Sequence, residues 1–106
     1  MKNLLFTAIM ALFLLPAGAN AQTATPAINQ TQKEQRERIQ QGVKNGELTV
    51  HEKRKLVREQ RKIARDEARA KADGVVTPRE RATIKAEQRK ASAHIAREKH
   101  DAQERR

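Results

Sequence analysis

The chain has 106 residues, with 23 Lys and Arg against 13 Asp and Glu for a net charge of +10, and no Cys, Trp or Tyr. That length accommodates one small domain, and the missing cysteines exclude disulfide staples and thiol chemistry. A chain this short and polar has little from which to build an apolar ligand pocket, which argues against an enzyme and for a protein without a cofactor.

The first 21 residues read as a cleaved signal peptide: Lys2, an apolar run from Leu4 to Leu15, a breaker at Pro16 and a small-x-small site at Ala19-Asn20-Ala21. The run is shorter than the roughly 20 residues that span a bilayer, so the expectation is export to a periplasm, as a secreted protein without stable membrane insertion after cleavage. Phe6, Phe13, Met1 and Met10 all fall in that segment, and removal of Lys2 leaves 22 Lys and Arg against 13 Asp and Glu. Such a balance points to an anionic partner. A solvated helical surface whose charge serves solubility reads equally well.

Residues 22–27 are small, polar and interrupted by Pro26, the pattern of a flexible lead-in. Residues 28–103 form the expected helical domain, followed by a basic tail over 104–106. The fold class is all-α, with three helices over about 27–43, 50–71 and 78–102 and no disulfides. Their apolar stripes are Ile28, Ile39 and Val43, then Leu56, Ile63 and Ala70, then Ile84, Ala91 and Ile95. The core stripe proper is Ile28, Ile39, Leu56, Ile63, Ile84 and Ile95. Twelve large aliphatics serve the whole exported part, so the core is thin and self-association is open to it.

A 28-residue tandem period runs through this region: Ile28, Leu56 and Ile84 are equivalent, as are Gln32, Gln60 and Gln88, and residues 45–62 match 73–90 at seven of 18 positions. The three glutamines fall at the edges of the stripes, where their good helix propensity explains them better than an interhelical hydrogen-bonding role. Two turns punctuate the period. In the first, Asn45-Gly46 closes a helix and Thr49 with Glu52 opens the next; in the second, Asp73-Gly74 and Thr77-Pro78 with Glu80 do the same. Glycine supplies the left-handed backbone, Thr and Glu three apart form a reciprocal capping box, and proline at the first helical position loses no hydrogen bond.

Each turn is EF-hand-like in its second half, with Asp73, Thr77 and Glu80 as the candidate cation ligands. The first half is missing: the positions that need carboxylates are Gln41 or Arg69 and Val43 or Lys71. Capping accounts for the same residues without a metal. From the EF-hand geometry, Leu48 and Val76 are expected to approach each other. His51, His94 and His100 lack metal-binding spacing, though His94 and Glu98 lie one turn apart. Ser92 has no readable base, so no catalytic residue is assigned. Nucleic acid is disfavoured by the absence of an aromatic stacking platform. Acidic envelope components, anionic protein or unfolded clients fit export better, and Arg58, Arg61, Lys62, Arg65, Arg89 and Lys90 are the candidate partner-binding residues.

The stretches QGVKNGELTVHE, KADGVVTPRER and IAREKHDAQ resemble a group of small exported proteobacterial helical proteins of unassigned function. Leu48-Thr49-Val50-His51-Glu52 and Val76-Thr77-Pro78-Arg79-Glu80 are more distantly similar to the LTxxQ motifs of the Spy and CpxP periplasmic chaperones, with Glu in place of Gln. That resemblance implies ATP-independent, chaperone-like client binding on a basic face, or a role in envelope stress. The alternatives are a degenerate EF-hand-like divalent-cation-binding protein and a structural, self-associating helical module.

Overall fold

A computed structural model describes residues 23–104. The expected signal peptide Met1–Ala21 and its cleavage site lie outside the described residues, as do Arg105 and Arg106 of the tail. Three helices account for the fold: α1 (Pro26–Lys44), α2 (Val50–Lys71) and α3 (Pro78–Glu104). Hydrogen bonds fix their directions. Gln60 meets Gln35 and Glu67 meets Thr25, so α1 and α2 run antiparallel. Lys62 meets Glu87 and Glu59 meets His94, so α2 and α3 do as well. Turns of a few residues leave antiparallel neighbours as the accessible arrangement, and α1 and α3 are consequently parallel.

Buried positions recur three and four residues apart, at 28, 35, 39 and 42 in α1, at 56, 60, 63, 67 and 70 in α2, and at 84, 88, 91 and 95 in α3. That spacing keeps one stripe of each helix facing a common axis. The apolar core is divided in two. Ile28, Ile63, Ala70, Val76, Ile84 and Ala91 form one cluster. Ile39, Leu48, Leu56 and Ile95 form the other, with Val57 packed on its edge. All six residues of the expected core stripe are therefore buried, whereas Val43, expected to join them, is exposed. Val43 falls to the side of α1 that no helix covers.

Leu48 and Val76 do not approach each other; they sit in different clusters at opposite ends of the bundle. The 22 residues of α2, rising 1.5 Å each, separate the two turns by about 30 Å. An EF-hand pair would need both loops at one end.

Inside the bundle lies a set of buried polar side chains that the border reading of the glutamines missed: Gln35 and Gln60 fall between the two clusters along their helices and Gln88 within the first. Gln60 Nε2 donates to Gln35 Oε1 at 2.8 Å, Gln35 Nε2 to the Gln88 carbonyl at 2.8 Å, and Gln88 Nε2 to the Ile28 carbonyl at 2.9 Å. Gln35 and Gln88 are each 3% exposed and Gln60 9%. A buried amide is costly unless partnered, so the three form a relay that ties all the helices together. Gln32 is half-buried instead and reaches Glu67 Oε1 at 3.4 Å.

Within the expected flexible lead-in, Ala24, Pro26 and Ala27 are exposed and Thr25 is anchored. Thr25 is 2% exposed and its hydroxyl donates to Glu67 Oε2 at 2.6 Å, while Arg81 holds the Ala24 carbonyl at 2.9 Å. Proline at 26 starts the helix because its fixed φ suits the first turn, two residues before the apolar pattern begins.

The turns differ in detail. Gly46, at φ 73°, lets Glu47 N–H reach the Gly42 carbonyl at 2.8 Å and Gly46 N–H reach Val43 at 3.2 Å, a Schellman closure. At Gly74, φ 85°, the following N–H of Val75 goes to the Asp73 carboxylate at 3.2 Å. Both next helices open alike. Glu52 N–H donates to Thr49 Oγ1 and Thr49 N–H to Glu52 Oε1; Glu80 N–H donates to Thr77 Oγ1 and Thr77 N–H to Glu80 Oε1.

Candidate functional site

Charge on the bundle is sorted by face. Along the seam where α2 meets α3, carboxylates and cations are interleaved and paired. Lys62 Nζ lies 2.9 Å from Asp66 and 3.1 Å from Glu87, Lys55 lies 3.5 Å from Glu98, and His94 Nδ1 lies 2.8 Å from Glu59. His94 therefore pairs across the seam and not with Glu98 one turn along its own helix. Hydrogen bonds to Asp66 and Glu87 hold the Lys62 ammonium above its ordinary pKa. The hydrogen bond from Lys62 holds Asp66 below the usual carboxylate value. Glu87 is raised, first by burial and then by sharing the site with Asp66.

On the side of α2 toward α1 the one acid beside the helix contact, Glu67, is buried and bonded to Thr25 and Gln32, and the surface hollows further along are lined by cations without acids. A groove of about 330 Å³ is floored by Ile39, Val57 and Ala64 and walled by Arg36, Gln40, Lys53 and Arg61. A second depression of about 710 Å³ continues from it over Val50, His51, Arg54 and Arg58, sharing Lys53, Val57 and Arg61. No Asp or Glu among the described residues lines either one. Arg36, Lys53, Arg54, Arg58 and Arg61 take part in no ion pair among the described residues. Three other surface hollows each include a carboxylate: Glu34 between α1 and α3, Glu37 on the outer side of α1, and Asp66, Glu80 and Glu87 beside the second turn.

The expected partner-binding residues divide accordingly. Arg58 and Arg61 line the acid-free face, and Arg65, also exposed, continues their side of α2 by one turn. Lys62 is engaged with Asp66 and Glu87 on the other side. Arg89 belongs to the separate α1–α3 hollow, and Lys90 is exposed on α3. The structure thus does not bring all six together. Sequence reasoning missed Arg36, Lys53 and Arg54, although Lys53 and Arg54 precede Val57 and Arg58 by one helical turn and were open to the same periodicity argument.

Oxygens of the candidate cation ligands are turned to local work. Asp73 accepts from Val75 N–H, and Thr77 and Glu80 cap each other. Among the described residues no three His, Cys, Asp or Glu side chains gather in a way that would hold a metal. Ser92 Oγ accepts from the Arg38 guanidinium at 2.7 Å, and Arg38 also reaches the Ser92 carbonyl at 3.3 Å. That contact clamps α1 to α3. No helix among the described residues is long and apolar enough to cross a membrane.

Comparison with family models, curated proteins and solved structures finds no match. The functional reading therefore stands on the chain's own geometry.

Proposed function

We propose that this is a non-enzymatic, exported helical protein that binds anionic or partly unfolded partners through the α1–α2 face. The observation that carries the reading is the distribution of charge around the groove: five cations stand without an ion pair among the described residues over an α1–α2 surface whose lining holds no acid, while Glu59, Asp66, Glu87 and Glu98 are paired along the α2–α3 seam. Unpaired like charges on one face repel one another, a cost that a solvated surface of mixed sign avoids. An anionic partner relieves it and gains from counterion release. Half-buried Val57 and exposed Val50 add the apolar contact that a partly unfolded chain offers. A chaperone-like or envelope-stress role is the natural setting for such a surface in an exported protein.

The test is suppression of aggregation of an acidic client protein in low and moderate salt, beside the recovery of the protein from a periplasmic fraction with its N-terminus read. Protection that weakens with salt is expected. Absence of protection at stoichiometric excess, together with no binding to an anionic resin at low salt, would refute it.

A further inference from the structure

We infer that the groove between α1 and α2 is the seat of a fourth helix, an acidic amphipathic segment of another protein. The inference rests on the anionic-partner reading and names the place and the form of that partner.

Helix α2 carries two apolar lines. Leu56, Ile63 and Ala70 are spent on the bundle core. The second line, Val50, Val57 and Ala64, has the same seven-residue spacing, but Val50 is 65% exposed, Val57 is half-buried and Ala64 exposed. Seven-residue spacing makes a nearly straight seam along a helix, and such a seam is what a neighbouring helix covers by left-handed packing. The line borders the groove and completes its floor, so a helix lying there touches Val57 and Ala64 of α2 above the buried Ile39. A flat polyanion or a lipid headgroup would satisfy the cations and leave this line uncovered.

Charge selects the occupant. Arg36, Lys53 and Arg61 stand along the groove walls, with Arg54 and Arg58 beyond them. A second copy of this chain seated by two-fold symmetry would set that cationic patch against itself. The fitting partner has an apolar line flanked by Asp and Glu, in the manner of coiled-coil flanking positions. The exposed part of the line, from Val50 to Ala64, corresponds to about four turns of a bound helix.

The probe is a fluorescein-labelled peptide of about 20 residues, with Leu at helical-seam positions and Glu on the flanks, compared with a peptide of the same composition in scrambled order. Binding to the protein is followed by anisotropy in low and moderate salt. The patterned peptide is expected to bind about tenfold more tightly than the scrambled one. Lys53→Ser with Arg61→Ser should weaken it about tenfold, and Val50→Ser, at an exposed site that leaves the fold intact, several-fold. Arg89→Ser with Lys90→Ser, on α3, should change it less than about twofold. Equal binding of the two peptides, or equal loss from the α3 pair, would overturn the groove while leaving an anion-binding surface. Binding of anionic vesicles that the patterned peptide does not displace would overturn it as well. Failure of both peptides and of dextran sulfate to bind would remove the broader reading too.

Discussion

Replacing Gln35 by Ala should unfasten the centre of the bundle. Its side chain accepts from Gln60 and donates to the Gln88 carbonyl, both at 2.8 Å, so truncation deletes two hydrogen bonds worth about 1 kcal/mol each in net terms. It also strands the Gln60 amide and removes one buried methylene, at about 0.8 kcal/mol. Alanine recovers a few tenths of a kcal/mol of helix propensity. The sum is a loss of about 2–4 kcal/mol, a large share of what so thin a core can supply. Leu at both 35 and 60 behaves differently, because exchanging both partners for apolar groups of similar volume leaves no orphaned polar atom. That double variant should lie within about 1 kcal/mol of the parent, or above it. Urea unfolding followed by far-ultraviolet circular dichroism measures both, the chain having no Trp or Tyr. A Gln35→Ala loss below about 0.5 kcal/mol, or a double-Leu variant as weak as the single Ala, would refute the relay as a stabilising element.

Four further outcomes are expected. Thr49→Ala and Thr77→Ala should each lower stability by about 1 kcal/mol through loss of a cap, the first by more because its bond to Glu52 is partly buried and that of Thr77 exposed; unchanged urea midpoints would contradict the capping. Gly42→Ala places a methyl 2.7 Å from Leu48 Cδ1 and 2.8 Å from Cγ, so it should cost about 1–3 kcal/mol despite better helix propensity and be relieved by Leu48→Ala. Gly74→Ala meets nothing within 4 Å but sits at φ +85°, so its loss of about 1 kcal/mol should be eased by Asn and not by trimming neighbours. Glu87 is raised above its ordinary 4.5, so its protonation favours the fold: that contribution is present below the unfolded value and fades as pH rises through the folded one. Asp66 is lowered from 3.8, so its contribution is present above that value and is lost as pH falls through the depressed one. Glu87→Gln should therefore abolish the gain on acidification just above pH 4.5 and keep the loss at lower pH; a Tm profile identical to the parent would contradict the assignment.

The helices were legible because their ends are written in residues with local consequences. Thr49 with Glu52 and Thr77 with Glu80 close hydrogen bonds within three positions, and no distant contact is needed to decide them. The core stripe was legible for the same reason, since Ile28, Leu56 and Ile84 differ in kind from their neighbours. Partners across helices were not. Gln60 and Gln88 have the propensity of ordinary surface residues, and only the packing of the other helices against them decides that they turn inward. Gln35 shows the difficulty most plainly: it stands where the 28-residue period puts Ile63 and Ala91, so its burial agrees with the pattern while its chemistry argues against it.

The same blindness affected the candidate site, with a different cause. Lysines and arginines are spread over every helix, and composition cannot say which are neutralised. Lys62 and Arg61 are adjacent in sequence, yet a 100° turn of the helix sends one to Asp66 and Glu87 and the other to a groove without a carboxylate. What distinguishes the two faces is where the acids went. Glu59, Asp66, Glu87 and Glu98 all lie along one seam, whereas the hollows over the α1–α2 side are lined by cations and no acid. A core as thin as this one gains little from surface pairs alone, so sorting them to one side contributes little to stability and much to the field on the other.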